Sequence, residues 1–230
     1  DAGGPDEIAA MKRKMGLDQP LFVQYGKWLF NIAQGDFGTS IYGSRQPVAQ
    51  ILSEAIPRTM SLAFLAFIIA LLIGIPAGII SAMRRNSPTD TAVSLFAFLG
   101  LSMPDLWLAI LLIIVFAANL QWLPAIGYSP LSDGLWPWFE HLILPSIAVG
   151  TAFSAIIARM IRSSLLEVLR ADYMRTAASK GLSRRTLMLE HAMPNAMIPV
   201  ITVIGIAFAL LISGAVVVEN VFSIKGLGRV

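Results

Sequence analysis

Residues Ala171–Asn195, "ADYMRTAASKGLSRRTLMLEHAMPN", interrupt an otherwise greasy chain with a basic, helix-forming segment broken once by a glycine. Asp172 is expected to cap a helix running to about Lys180, with Gly181 in the left-handed position that closes it and Leu182 as the apolar residue beyond. Ser183 is expected to cap a second helix, "RRTLMLEHAM", reaching Pro194. The first of these is about ten residues, below the ~12–15 that hold a helix alone in water, so it must pack against something. Ala177, Ala178 and Gly181 offer a small surface for close approach by another protein. Tyr173 and Met174 are apolar anchors, and Arg175, Lys180, Arg184 and Arg185 form a basic rim. The same arginines also satisfy the positive-inside rule and could touch anionic headgroups.

The flanking sequence sets the context. The chain has 230 residues, 56% hydrophobic and 13% charged, with a mean hydropathy of +0.72; soluble domains carry about 25% charged residues. Met60–Met83 and Ala192–Val218 contain no charge, Thr91–Leu120 contains only Asp105, and Leu142–Ala158 is uncharged before Arg159 and Arg162. Each is long enough for a membrane crossing, which takes about 20 apolar residues. The absence of cysteine excludes disulfides and thiolate metal sites.

An isoelectric point near 9.4 looks like a nucleic-acid signal until the cations are placed. Arg84 and Arg85 follow the first crossing; Arg159, Arg162, Arg170, Arg175, Lys180, Arg184 and Arg185 lie between the third and fourth; Gln121–His141 has none. Positive loops remain cytoplasmic, so the basic balance reports orientation and no nucleic-acid partner is expected. Residues 1–58, with six acidic and six basic side chains, and the tail from Glu219 then lie outside. An exported N-terminal region with no signal peptide before it implies a further crossing upstream, and the chain stops in a Gly-rich loop shortly after a crossing.

Within residues 1–58 a short amphipathic helix is expected over Asp6–Lys14. A second, in "QYGKWLFNIAQGDFG", stops at Gly35; Phe22, Tyr25, Trp28 and Phe30 suit a segment lying along the interface or a small helical cap on the bundle. Pro47, Val48 and Ile51 begin a helix that the Pro57–Thr59 step redirects into the first crossing. Gly74 and Gly78, and Ser146, Gly150 and Ser154, repeat the four-residue spacing of close helix packing in lipid. In "LSMPDLW", Pro104 removes a donor and Asp105 costs about 2.5–3.5 kcal/mol near a helix centre. Ser102 as N-cap with Asp105 as the N3 residue is a capping-box arrangement, and a broken helix must face protein or water. Ser102, Pro104 and Asp105, with Glu219, are therefore candidates for the translocation path, interhelix contact being the alternative. Trp122, Trp136 and Trp138 form an outer interfacial belt. His141 and His191 fall at opposite faces with Asp105 elsewhere, so no catalytic or metal-ligand cluster can be assembled and an intramembrane enzyme is disfavoured. A passive channel needs no docking elbow.

The elbow resembles the cytoplasmic loop of permease subunits of binding-protein-dependent ABC importers, whose pattern is E-A-A, a glycine six residues after the Glu, and a proline thirteen after the glycine. Arg175, Thr176 and Ala177 stand at the E-A-A positions, with Gly181 and Pro194 at the required spacings. Arg175 for Glu and His191 for the usual Ile match the dipeptide, oligopeptide and nickel subgroup, whose loop reads like "DYMRTAASKGL" followed by "HAMPNAMIP". "MGLDQPLFVQYGKWL" with "GDFGTS", "LGLSMPDLWLA" and "ENVFSIKGLGRV" resemble the same subgroup elsewhere, Lys225 replacing its usual proline.

The resemblance implies an all-α polytopic transmembrane bundle of the type I importer kind, with an extracytoplasmic helical region (1–58) and a permease domain (59–230) carrying the coupling loop 164–195. Six crossings are implied, the first and last outside this chain. It further implies a multi-pass protein of the bacterial inner membrane, paired with a second, sister permease, two ATP-binding subunits and an extracytoplasmic solute-binding protein. Asp172 to Gly181, with Arg184 and Arg185, would contact the ATP-binding subunit. ATP and Mg²⁺ are expected in that subunit, since no Walker A loop occurs here. A peptide-like solute, a nickel chelate and glutathione all fit the pattern.

Overall fold

The computed structural model describes residues 18–40 and 46–229. The helix expected over Asp6–Lys14 lies outside them. The chain divides into two units, Asp1–Glu54 and Ala55–Val230.

In the first unit, α1 spans Leu21–Ala33 after Pro20 and ends through Gly35, whose φ of +82° is open to glycine at no steric cost. No α1 side chain is buried. Leu21, Phe22, Trp28 and Phe30 are all more than half exposed, and Tyr25 stacks on Trp28 with ring centroids 5.9 Å apart. These are the side chains an interfacial helix presents to headgroups.

The second unit is built from α2 (Val48–Met83), which begins in the first unit, α3 (Pro88–Ser102) and α4 (Asp105–Leu112), the last continued by a wide π-helical turn over Ile113–Asn119. After an outer loop come α5 (Leu135–Val168), the short α6 (Asp172–Ser179), α7 (Arg184–Thr186) and α8 (Met193–Val221). A second π-helical turn, Leu187–Ala192, joins α7 to α8 without a break. The fold is all-α and polytopic, as expected. Among the described residues, Val48–Met83, Leu135–Val168 and Arg184–Val221 are long and apolar enough to cross a membrane, and α3 with Asp105–Asn119 forms a pair bent by 103°.

Contacts at the two ends of the bundle show that the bent pair is a crossing and not a hairpin. At one end the Arg58 guanidinium lies 5.9 Å from the centroid of the Tyr128 ring, and Gly127 N donates to Phe222 O at 2.8 Å. At the other, Arg162 donates to Asp90, whose carboxylate also accepts from Ser81. Arg58 and Ser81 sit on one helix, roughly 35 Å apart at 1.5 Å per residue. The chain from Asp90 to Gly127 therefore traverses the bundle, and four crossings alternate in direction.

Two expectations about prolines are corrected. Pro57 does not redirect the chain: α2 is one helix through it, because Pro57 removes its donor at an exposed turn where no buried backbone group is orphaned. Pro194 does not end the second elbow helix. It lies at the start of α8, directly after the wide Leu187–Ala192 turn, where the departure from regular helical hydrogen bonding absorbs its missing N–H.

Within the bundle α2 and α5 meet backbone to backbone. A Cβ on Gly74 would lie 2.8 Å from Ser154 O, one on Gly78 2.6 Å from Ala158 O, and one on Gly150 2.8 Å from Ala66 O. Backbone touches backbone at all three, which supplies the dispersion contacts that hold helices together where lipid is as apolar as they are. Leu62, Ala66, Val149, Ile157 and Ile161 fill the surrounding space and are buried. Gly78→Val must push α5 away and is expected to cost on the order of 1–3 kcal/mol. The thermal unfolding midpoint of the purified protein in detergent should fall accordingly, while Gly26→Ala, in a helix interior with nothing within 4 Å of its added methyl, should not lower it.

Candidate functional site

The elbow forms at the end of the bundle marked by Asp90 and Arg162. Hydrogen bonds continue out of α5 with no slack: Leu169 N to Leu165 O, Arg170 N to Glu167 O and Ala171 N to Val168 O, all within 3.1 Å. The N-cap of α6 is Ala171, so Asp172 is its first helical residue and not its cap. The carboxylate of Asp172 instead lies 3.4 Å from Arg175 Nη1 on an exposed surface, an ion pair of little energetic consequence. Gly181 has φ +81° after the Lys180 C-cap, as the sequence demanded, and the Ser183 hydroxyl accepts from Thr186 N at 3.2 Å.

Burial sorts the elbow into two faces. Met174 and Ala177 are buried, Met174 packing among Ile157, Ile161, Leu165 and Ala192, so these two cannot serve as contacts for another protein. The reason is the one that made a lone ten-residue helix implausible: α6 is stabilised by its own bundle. Tyr173, Arg175, Thr176, Ala178, Lys180, Gly181, Arg184 and Arg185 face outward. Between the elbow and the ends of α2 and α5 lies an open cleft of about 430 Å³, floored by Ala82, Leu169, Met174 and Met188 and edged by Arg175 and Arg184. His191, in the π-helical turn, has a buried Nδ1 without a hydrogen-bond partner.

The capping box lies one helix earlier than Ser102. Ser87 caps α3, accepting from Asp90 N at 3.3 Å, and the Asp90 carboxylate reaches back to Asn86 N at 2.9 Å. At the proposed site, Ser102 ends α3, Met103 is extended (φ −84°, ψ 124°), and α4 starts at Asp105 with Pro104 as its cap residue and no side-chain capping bond. Proline disfavours helical geometry in the residue before it, which places the break between Ser102 and Asp105 and leaves no room for Ser102 to cap forward. Asp105 stays near the positive end of α4.

Sequence reading missed the ion pair this box supports. Arg162 Nε donates to Asp90 Oδ1 at 2.7 Å and Nη2 to Oδ2 at 2.8 Å, with the Asp90 side chain nearly buried and that of Arg162 about a third exposed. The two residues are 72 positions apart, and the local signal available was "NSPTD" before an apolar run.

Glu219, a candidate for the translocation path, is fully buried. Its carboxylate accepts from the Thr59 hydroxyl and from Gly228 N at 2.9 Å, while Leu227 N donates to Thr59 Oγ1 at 2.8 Å. A Cβ on Gly226 would collide with Glu219 and Thr59. Glu219 thus pins the loop after α8 onto α2 at the outer end, and no hydrogen bond connects it to Ser102 or Asp105.

This arrangement is that of a membrane transport subunit, and the chain belongs to the family of binding-protein-dependent transport system inner membrane components, whose model matches residues 74–230. Over 229 residues it is 44% identical to a putative peptide transport system permease protein of Brucella abortus (strain 2308), covering 100% of this chain and 73% of that one. It is 41% identical over 218 residues to the oligopeptide transport system permease protein AppB of Bacillus subtilis (strain 168), 94% of this chain and 69% of that one. The fold is shared with a solved structure of the methionine ABC transporter MetNI in an inward-facing conformation, at a TM-score of 0.64 and 18% identity, covering 80% of each chain. The protein is therefore a multi-pass permease of the inner membrane, the membrane subunit of a binding-protein-dependent transport system.

Breaking the Asp90–Arg162 pair from one side strands a charge. Asp90→Asn and Arg162→Met are each expected to destabilise by about 3 kcal/mol, the low end for a buried pair because Arg162 is partly solvated. The double replacement should cost less than the two singles together, measured as thermal midpoints in a double-mutant cycle.

Proposed function

We propose that this permease pairs with a sister permease to form the pathway of a peptide importer, and that the elbow Asp172–Gly181 is the seat of an ATP-binding partner. Peptide-like solute is supported by the names of the relatives, and the partner by family membership. The observation that carries the coupling assignment is the two-faced elbow. Met174 and Ala177 lock it to the bundle, while Tyr173, Arg175, Ala178, Lys180 and Arg184 are exposed on the outside.

The elbow is continuous with two crossings. Hydrogen-bonded turns tie α6 to α5, and the Ser183 cap leads through α7 and the π-helical turn into α8. No unstructured linker intervenes, so a push on α6 moves α5 and α8 together. ATP, bound with Mg²⁺, is hydrolysed in the partner, two copies serving two permease subunits; this chain contributes no phosphate-binding loop. Solute arrives from the extracytoplasmic binding protein at the end marked by Arg58, Tyr128 and Lys225. Ser102, Pro104 and Asp105 line its way, because a broken helix with a carboxylate at membrane depth is tolerated only beside protein or water.

Gly181→Val forces a β-branched residue into φ +81°, a strain of order 1–3 kcal/mol that deforms the elbow and not the crossings. In the reconstituted transporter this variant should lose peptide uptake and peptide-stimulated ATP hydrolysis while inserting normally. Undiminished uptake would overturn the assignment. Competition by dipeptides, glutathione and nickel chelates in the same assay assigns the solute class.

A further inference from the structure

Beside the Asp90–Arg162 pair lies a second groove, separate from the cleft under the elbow. It is about 470 Å³ in volume and is lined by Arg85, Asn86, Arg162, Ser163, Leu166 and Arg170. We infer that this groove binds a phosphate group, presented to it by the headgroup of an anionic phospholipid of the cytoplasmic leaflet.

The first argument is charge. Arg162 spends its charge on Asp90 through Nε and Nη2, and that pair holds the guanidinium rigid at the groove wall. Arg85 and Arg170 form no ion pair among the described residues. Glu167, also on the wall, offsets one of them. What is left uncompensated is a single positive charge, the complement of one phosphodiester. Planar guanidinium groups also match the oxygens of a phosphate better than ammonium groups do. The wall is pre-organised: Asn86, at φ +61°, has its N–H held by Asp90 Oδ2 at 2.9 Å, which fixes the turn that carries Arg85.

The second argument is depth. The uncharged residues Leu142–Ala158 of α5 cover roughly 25 Å, close to the thickness of the hydrocarbon core, and Arg159 and Arg162 follow them. They begin just inside Trp136 and Trp138, aromatic residues of the kind found at the opposite interface. Arg162 therefore stands at the hydrocarbon boundary on the cytoplasmic side. Arg170, roughly 12 Å further on, reaches back with its long side chain to the headgroup layer. Leu166, partly buried, gives the groove an apolar floor where the glycerol end of a lipid would rest. A protein partner at this depth would have to enter the headgroups, whereas basic pockets between crossings on this side suit lipid phosphates.

The test uses the full-length permease in its assembled transporter, in nanodiscs of phosphatidylcholine with a minor fraction of phosphatidylglycerol, with lipids retained on the released complex read by native mass spectrometry. Phosphatidylglycerol should be retained over phosphatidylcholine, and Arg85→Gln/Arg170→Gln should lower that retention on the order of fivefold per arginine. Arg85→Lys/Arg170→Lys should recover most of it. Removing the same charge from the elbow in Arg184→Gln/Arg185→Gln should leave it intact. Undiminished retention in the groove variant, or an equal loss in the elbow variant, would overturn the site. Displacement by inorganic phosphate would overturn the lipid as its source. Loss of the ATP-binding partner from Arg85→Gln/Arg170→Gln in detergent, with lipid retention unchanged, would overturn the inference in favour of a protein contact.

Discussion

Asp90 and Arg162 meet where three crossings end on one side of the bundle, and the geometry of that side follows from their meeting. The carboxylate takes two bonds from Arg162 on α5, one from Ser81 on α2 and one from the Asn86 backbone in the turn between α2 and α3. A carboxylate withdrawn from water at a membrane boundary is tolerable only with such a full set of donors. Once the set is assembled, the end of α2, the start of α3 and the end of α5 can no longer slide past one another.

That fixed end is what gives the elbow a direction. The α5 helix continues past Arg162 through Leu165, whose side chain is buried in the same apolar cluster as Met174 of α6. The elbow therefore rests on a platform of Ile157, Ile161 and Leu165 that the ion pair and the Gly74–Gly78 contact hold against α2. At the opposite end Glu219 does the corresponding job with different chemistry. A buried carboxylate bonded to Thr59 and Gly228 N ties the loop after α8 to the first crossing. Two buried acids, one at each end, bracket a middle section held by backbone contact and apolar side-chain packing.

The broken crossing is the exception to this rigidity. Pro104 and the extended Met103 bend it by 103°, and the π-helical turn at Ile113–Asn119 relaxes it again before the outer loop. With no side-chain cap at the break, α4 is anchored by packing alone, Ala109 being its buried residue.

Much of this protein was legible in the bare sequence because lipid leaves few options. With no water to satisfy backbone groups, apolar runs of crossing length must be helices, and their places in the chain followed from the uncharged stretches. The left-handed turn at Gly181 and the Ser183 cap were equally local, since each is decided within four residues. What sequence reading got wrong involved choices between equivalent local signals. "SPTD" and "SMPD" both offer a serine three residues before an aspartate, and only the tertiary partner Arg162, 72 residues away, makes the first one a buried anchor. Met174 and Ala177 read as an accessible face for the same reason: a helix's apolar stripe records that it will be covered, and packing decides by what. The Glu219 latch and the run of helix through Pro194 belong to that class too, because their cause lies in Thr59, in Gly228 and in a change of helical pitch, none of which a linear pattern encodes.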